Sequence, residues 1–276
     1  ETQNKNINLK NIKIEKNFNY TIKVMNKKFK INKNFKWKFK NTNDDEKISS
    51  LHRWHWLLTE LEKTKTIKFE EGLSLIKMWI NNYGTNKRIK DSYEISERIS
   101  NLIIFFIYHN KNYDCLSEEL KYFLDKNIET LSKQLEFYND DLSGNHLINN
   151  SRALILFGYY KGSKNSINLG IEVLKNILPK LVIDKYFLRE SSSHYQLLIT
   201  SWLTEIFIVM NYYSCKKNLS VIAKYVENLC YGCEFFFVKG NIVTIGDISP
   251  DKSPDWLIDV TKFLRNISNS NKKINY

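Results

Sequence analysis

Proline and glycine are scarce in this sequence, with three prolines and nine glycines among 276 residues. Both residues mark tight turns, so their scarcity argues against a turn-rich β-sandwich and favours long helices. Arginine is scarce as well: only six of the 42 Lys and Arg residues are arginines, and they are scattered along the chain. Arginine clusters are typical of phosphate recognition, so the sequence does not favour nucleic acid as a partner.

Cysteines and long apolar runs are also limited. Of the four cysteines, Cys230 and Cys233 have the spacing of a redox pair or half a zinc site, but no second Cys or His pair follows at the required distance. We interpret them as small apolar residues near a helix end, and we predict neither a metal nor a cofactor. No apolar run has transmembrane length, which predicts no membrane insertion. The chain starts at Glu1 without a visible signal peptide, and its composition leaves compartment and oligomeric state open.

The charge balance is strongly positive, at +12, and lysine supplies most of it. Such a charge favours an anionic partner: nucleic acid, a membrane surface or an acidic polysaccharide. The alternative explanation is compositional, because Lys, Asn and Ile are abundant together, as expected of an AT-rich coding sequence. The charge alone does not decide between these explanations.

Hydrophobic periodicity predicts the fold class. From Ser49 onward apolar residues recur with the period of an α-helix, and the short polar links between the runs predict antiparallel helix hairpins. No motif repeats at a fixed spacing. We therefore predict an all-α chain forming an incomplete (α/α) toroid, with a plain helical bundle or a solenoid as alternatives. The apolar runs lie at 51–61, 69–80, 95–106, 116–131, 147–158, 167–181, 195–213 and 219–233.

The ends of the chain differ from this helical region. Residues 1–48 alternate weakly between apolar and polar, which predicts an extended N-terminal arm packed on the main domain at 49–233. Residues 234–276 begin with a predicted β-hairpin across Lys239 and Gly240, followed by a turn near Gly246, a helix near 255–266 and a frayed tail. A lone hairpin is marginal by itself, so we interpret this part as the opening of a β domain that is truncated or missing.

Two polar clusters precede amphipathic runs and are the candidate site. They are Gly144–Asn150 and Arg189–Gln196, with one predicted helix between them. Amide, imidazole and phenol groups at successive helix starts are expected to converge on one rim. The sequence therefore predicts a sugar-binding site, which is tested below against the structure.

Several segments resemble the bacterial heparinase II/III-like polysaccharide lyases. In that family an incomplete α/α toroid precedes a large β-sandwich domain, which carries a catalytic His and in some members a metal; neither can be assigned here. The resemblance implies an acidic, uronic-acid-containing glycan as partner, and favours a periplasmic or extracellular location. The segments that carry it are Leu51–Leu57, Tyr93–Asn101, Gly144–Gly158 and Phe187–Tyr195, and the Gly246–Asp247 turn is similar to the crossover into the β domain.

The resemblance also implies a chemistry. Family members cleave by β-elimination, which requires a neutralised substrate carboxylate and a proton donor for the leaving sugar. Asn145 matches the residue that neutralises the carboxylate, and Tyr195 matches the acid, which also acts as base on some substrates. His146, next to Asn145, is the second candidate for neutralising the carboxylate. Read from the residues alone, Asn145 and His146 could instead cap a helix, and Tyr195 could belong to the core.

Other residues are candidates for substrate contacts. Their aromatic, imidazole or guanidinium groups suit sugar rings and carboxylates. Arg189 could instead pair with Glu190. Gln196 stands where members of the lyase family often have His. Two other function classes stay open: a non-catalytic glycan-binding or scaffold domain, and a helical glycoside hydrolase, which would need a carboxylate pair such as Asp140–Asp141 or Glu190. The predicted substrate-binding residues are His194, His52, Trp56, Arg98 and Arg189.

Overall fold

The computed structural model describes residues 9, 19–25, 27–37, 45–59, 67–83, 91–137, 144–214, 218–248 and 252. The chain divides into two compact units, residues 1–135 and 136–276. The described part is mostly helical, with three small antiparallel strand pairs, and none of its helices is long and apolar enough to span a membrane.

In its described residues the first unit contains a β-hairpin and five α-helices. Strands β1 and β2 pair antiparallel from Asn19↔Asn32 to Val24↔Lys27, and the hairpin packs on α2. Helix α4 is buried over nearly its whole circumference and packs against α1, α2 and α5. The elements are β1 (Asn19–Val24), β2 (Lys27–Asn32), α1 (Asp45–His52), α2 (His55–Thr59), α3 (Phe69–Tyr83), α4 (Ser92–Tyr108) and α5 (Glu118–Lys133).

The first predicted helical run is broken in the structure. Helix α1 ends at His52 and α2 begins at His55, because Trp54 takes a left-handed backbone conformation with φ 61°. The side chain of Trp54 is buried and packs on Phe123 and Trp79, with ring centroids 5.8 and 5.0 Å away. The buried position of this indole goes together with a backbone conformation that L residues rarely adopt. Helical periodicity in the sequence does not indicate this break in the helix.

The described part of the second unit contains four α-helices and two short hairpins. Ser163 caps α7 by accepting a hydrogen bond from the Ser166 N–H, and Ser192 caps α8 by accepting one from the Tyr195 N–H. The elements are α6 (Asn145–Lys161), α7 (Lys164–Leu181), β3 (Val182–Ile183), β4 (Phe187–Leu188), α8 (Ser193–Tyr212), α9 (Leu219–Glu234), β5 (Phe237–Val238) and β6 (Asn241–Ile242).

Helices α6 and α7 form an antiparallel hairpin around Gly162, which has φ +80°. Gly158 lies against Ile167, and further along α7 Gly170 lies against Ile155, so contacts that run forward in one helix run backward in the other. A Cβ at Gly158 or Gly170 would come within 2.6 or 2.7 Å of these neighbours. The two glycines therefore allow a close helix–helix approach.

Helices α8 and α9 form the other predicted hairpin of this unit. The C-terminal half of α9 packs on the start of α8, where the Gln196 Nε2 donates to the Leu229 carbonyl oxygen at 3.3 Å. Helix α8 is buried on almost every side over its first three turns, not on one stripe as the sequence predicts. The hairpin across Lys239 and Gly240 is present as β5 and β6. The predicted helix near 255–266 and the tail lie outside the described residues, and the domain boundaries at 48 and 233 stay predictions.

Candidate functional site

The starts of α6 and α8 lie at the same end of the second unit. Asn145, the first residue of α6, contacts Glu190, which lies three residues before α8 begins. About two turns further along α6, Arg152 pairs through Nε with the Glu205 carboxylate in α8. Contacts that advance together along both helices mean that the helices run parallel. The two polar clusters therefore meet at one rim, as the sequence predicts.

Asn145 faces a carboxylate at this rim. Its backbone N–H and its side-chain Nδ2 each lie 3.4 Å from one of the two Glu190 carboxylate oxygens. Gly144 is the N-cap residue of α6 and makes no side-chain cap, so the alternative that Asn145 caps the helix is wrong. The structure leaves the amide available to a carboxylate, whether from the protein or from a ligand.

Opposing effects act on the Glu190 carboxyl. Partial loss of hydration raises its pKa above the ordinary value, while the Asn145 N–H, the His146 and Arg189 charges and the Asn145 amide act in the opposite direction. The raised pKa means that Glu190 becomes neutral at a higher pH than an ordinary glutamate. The charge of Arg189 acts on Glu190, and the hydrogen bonds to Glu190 come from Asn145; an ion pair between Arg189 and Glu190 stays a prediction.

His146 forms a dyad with a second carboxylate, Glu136. The His146 Nδ1 lies 2.8 Å from Glu136 Oε1, and Asn150 Nδ2 donates to Glu136 Oε2 at 3.1 Å. The Glu136 N–H donates to Asn150 Oδ1 at 3.1 Å, which fixes the amide orientation. Glu136 is largely buried, with 10% of its side chain exposed, whereas His146 is 45% exposed. A carboxylate only accepts hydrogen bonds, so the proton of a neutral His146 resides on Nδ1.

Tyr195 lies in the first turn of α8 and is half-buried. Its backbone N–H donates to the Ser192 Oγ at 3.1 Å. The segment after β6 packs on the same turn: Ser192 Oγ donates to the Asp247 carbonyl oxygen at 2.6 Å, and Ser193 pairs with the backbone of Ile245. The Gly246 turn predicted from the sequence therefore supports the rim next to Tyr195.

His194 and Gln196, which flank Tyr195, are buried and hold the rim together. His194 is 1% exposed, and its Nε2 lies 3.0 Å from the Lys252 carbonyl oxygen. Gln196 accepts from the Leu188 N–H at 3.0 Å and donates to the Tyr186 carbonyl oxygen at 2.9 Å. Both residues therefore position the start of α8 on its neighbours, while Arg189 is exposed on the link before the helix.

His52, Trp56 and Arg98 belong to the first unit, and each is buried there. Trp79 Nε1 donates to His52 Nδ1 at 3.1 Å, and Arg98 Nη1 donates to the His52 carbonyl oxygen at 3.0 Å. Burial lowers the pKa of the Arg98 guanidinium to about 10, so it keeps its charge at neutral pH. His52 and Trp56, two of the predicted substrate contacts, belong to separate helices because the helical run breaks at Trp54, and the side chains of both are buried.

No cluster of three His, Cys, Asp or Glu side chains is placed to bind a metal within the described residues. Of the cysteine pair in α9, Cys233 is fully buried, and loss of hydration raises the pKa of its thiol to about 12. A thiol with so high a pKa is a poor nucleophile and metal ligand.

Sequence reasoning missed the role of two acidic residues. Glu136 and Glu190 both lie in links, outside the helices, and both contact the first turns of α6. Their partners are 10 and 45 residues away in sequence, so helical periodicity does not indicate them. The one available signal is the concentration of polar residues at the start of α6, which needs partners once it is packed.

No protein-family model matches this chain, and no curated protein sequence matches it. Among solved structures, the chain is similar to heparan sulfate lyase HepC from Pedobacter heparinus, with a TM-score of 0.55 and 18% sequence identity. The match covers 80% of this chain and 37% of the lyase chain. At this identity the likeness establishes a shared fold alone.

The match confirms the predicted fold class: a mostly helical chain of antiparallel helix hairpins with small strand pairs, sharing its fold with a lyase of the α/α toroid type. It supports the resemblance to polysaccharide lyases in part, through the fold of one heparan sulfate lyase. The chain spans little more than a third of that lyase. The match therefore does not assign the activity or the substrate of the lyase to this chain.

Proposed function

We propose that this chain is a polysaccharide lyase-like domain that binds a uronic-acid-containing glycan at the α6–α8 rim and cleaves it by β-elimination. One observation carries the proposal: the N–H and the side-chain amide of Asn145 both face a carboxylate, that of Glu190. The lyase-like fold supports the same class of reaction.

The Glu190 contacts are long enough for a ligand to replace them. Both are 3.4 Å, whereas charge-assisted hydrogen bonds are typically about 2.7–2.9 Å. A substrate carboxylate that approached Asn145 more closely would make stronger bonds than Glu190 does. Glu190 therefore acts as an internal competitor, and Asn145 is the residue for which the two carboxylates compete.

The elimination has a defined balance of bonds. A base removes the proton on C5, beside the sugar carboxylate; the electron pair forms the C4=C5 double bond; and the C4–O bond breaks as the leaving oxygen takes a proton. Hydrogen bonds from Asn145 to the carboxylate stabilise the negative charge that develops there. Where the C5 proton and the leaving oxygen lie on the same face of the sugar, the Tyr195 phenolate removes the C5 proton and the phenol so formed passes it to the leaving oxygen. On other substrates the Tyr195 phenol gives its own proton to the leaving oxygen, and the candidate acceptor for the C5 proton is the neutral imidazole of His146.

Glu136 defines what His146 contributes. With its Nδ1–H directed to Glu136, neutral His146 accepts a hydrogen bond or a proton through Nε2, and it donates to the substrate carboxylate only once protonated. In its protonated form His146 therefore assists Asn145 as a second hydrogen-bond donor, and in its neutral form it is a proton acceptor.

The proposal is tested by incubating the protein with a uronic-acid glycan and following the absorbance of the new C4–C5 double bond. Asn145→Ala should lower kcat/KM by about 100-fold, the effect of losing one hydrogen-bond donor to the developing negative charge. Asn165→Ala, a change of the same kind on the exposed surface of α7, should leave the rate unchanged. A rate that Asn145→Ala does not alter contradicts the proposed site.

The alternative function, a glycan-binding domain without chemistry, uses the same contacts of Asn145. The same experiment separates the two functions: binding without a new double bond supports the alternative. Hydrolysis without a double bond would instead indicate a glycoside hydrolase.

A further inference from the structure

A groove in the second unit lies apart from the residues of the rim. It runs between the β3–β4 hairpin and the first half of α9, and its volume is about 650 Å³. That volume is within the range of small-molecule sites, about 300–1,000 Å³. The lining residues are Val182, Lys185, Ser220, Val221, Lys224, Tyr225 and Asn228.

The hairpin that forms one wall is held in place. The Gln196 amide bonds to the Tyr186 carbonyl oxygen and to the Leu188 N–H, one on each side of Phe187. The Tyr186 carbonyl also lies so close to Gly232 that a Cβ on the glycine would be 1.9 Å from the oxygen. Asp184 and Lys185 complete the turn with φ 48° and 70°. Because the hairpin is anchored at both α8 and α9, the groove is a fixed feature of the fold.

The charge of the lining selects an anion. Lys185 and Lys224 are both exposed, and no carboxylate is among the lining residues. Within the described part of the chain, neither ammonium group has an ion pair. Two like charges on one groove cost energy unless a counterion is bound, so the groove favours a ligand with a carboxylate or a sulfate.

The remaining lining residues suit a sugar ring. Burial raises the pKa of Tyr225, so its phenol stays protonated. Tyr225 therefore offers a hydrogen-bond donor and the face of its own ring. Ser220 and Asn228 add a hydroxyl and an amide, which match sugar hydroxyls in donor and acceptor capacity. Aromatic faces next to polar groups are typical of surfaces that bind sugars by stacking.

The aromatic character continues along α9 beyond the groove. Tyr231, three residues after Asn228, is 49% exposed and packs against Tyr186 with ring centroids 5.0 Å apart. Phe235, the first residue after α9, is 60% exposed, and its ring centroid lies 5.4 Å from that of Tyr231. A linear ligand held by the lysines would pass along these rings, which favours an oligosaccharide over a single small anion.

The geometry points to this groove as a second binding site for an acidic oligosaccharide, separate from the α6–α8 rim. No lining residue belongs to the rim, so the site does not require lyase chemistry. In a lyase it would hold a second stretch of the same polymer, and in a binding domain it would contribute to affinity.

The test uses tetragalacturonate, an unsulfated uronate tetrasaccharide, and amide chemical shifts of the full chain. The Lys185→Gln/Lys224→Gln protein should bind it about tenfold more weakly, the sum of two modest charge contacts. The matched control is Lys164→Gln/Lys175→Gln, which removes the same charge from exposed positions on α7 and should bind like the parent. Thermal melts of both proteins verify that they fold.

The position of the bound tetrasaccharide is read from the amide chemical shifts of the Asn145→Ala protein. This substitution weakens binding at the α6–α8 rim and leaves the groove unchanged. Shifts at 182–185 and 220–228 that persist in this background support the second site. Equal weakening by both lysine pairs would show a general charge effect and would overturn the proposal. Shifts confined to 144–150 and 189–195, or tighter binding of a nucleoside diphosphate than of the tetrasaccharide, would overturn it as well. Persistent groove binding without any double-bond formation would reject the lyase function and leave this site standing.

Discussion

At the scale of single residues, two glutamates define the chemistry of the rim. Glu136 sets the proton position on His146, and Glu190 contacts Asn145, the residue that we propose binds a substrate carboxylate. Asn145 and Tyr195 could be selected from the sequence because they stand at helix starts in a recognisable pattern. The contacts that Glu136 and Glu190 make with α6 could not be predicted, because each of them joins a link to a helix.

The dyad gives a prediction that does not depend on activity. In Glu136→Gln, the side-chain oxygen stays with the Asn150 donor, so the new NH₂ group faces the Nδ1 of His146. The proton on neutral His146 should therefore move from Nδ1 to Nε2. Nitrogen NMR of the His146 ring distinguishes the two tautomers directly. Glu172→Gln on the exposed face of α7 serves as the control, and an unchanged His146 tautomer in Glu136→Gln would show that the dyad does not act as described.

The raised pKa of Glu190 leads us to expect that glycan binding depends on pH. Its pKa is raised, so as the pH falls Glu190 loses its charge while a uronate with an ordinary carboxyl pKa keeps its own. Competition for Asn145 weakens, and glycan affinity should rise as the pH falls through the Glu190 pKa.

The matched variant Glu190→Gln isolates this effect. It should bind the glycan about two- to fivefold more tightly than the parent at neutral pH, the equivalent of one weak competing charge contact, while the two proteins should converge at low pH. Titration calorimetry between about pH 4 and 8 covers the range in which Glu and His change charge. Parallel curves over that range would exclude Glu190 as a competitor.

At the scale of elements, the helices follow closely from periodicity. The run 69–80 becomes α3, 195–213 becomes α8 and 219–233 becomes α9, each within a few residues. The failures have physical causes. The break at Trp54 depends on a left-handed backbone conformation stabilised by packing, and the burial of α8 on nearly all sides depends on neighbours that a single helix does not specify.

The contact between the β3–β4 hairpin and α9 should be sensitive to a single methyl group. Gly232→Ala places a Cβ 1.9 Å from the Tyr186 carbonyl oxygen if nothing moves, and the backbone on the other side cannot yield as a flexible side chain would. We expect a loss of about 2 kcal/mol or more in the free energy of unfolding. Chemical denaturation with Ser220→Ala, exposed on the same helix, as control measures it. Equal stability of the two variants would refute the close approach.

At the scale of the whole molecule, the net charge of +12 has two explanations, and salt separates them. If the charge attracts an acidic glycan, affinity for a uronate tetrasaccharide should fall steeply as salt rises, because the screening length shortens from about 10 Å at 0.1 M to about 3 Å at 1 M. A neutral tetrasaccharide measured in parallel should show no such fall. Salt-independent binding of the uronate would favour the compositional explanation.

The shared fold limits what the whole-molecule comparison supports. The TM-score of 0.55 at 18% identity, over 37% of a heparan sulfate lyase, shows that the backbones are similar. It does not show that the two proteins share a reaction, so a proposal about chemistry has to rest on the side chains of this chain. The α6–α8 geometry is the part that bears on function, because parallel helices bring Asn145 and the start of α8 together.

The most direct test of that account is the rate of double-bond formation from a uronic-acid glycan by Tyr195→Phe, compared with Tyr212→Phe at the exposed far end of the same helix. Removing one acid–base group should lower kcat by about 100-fold or more, while Tyr212→Phe should keep the parent rate. If Tyr195→Phe forms the double bond as fast as the parent, the phenol does not carry the proton and the account of this rim is wrong.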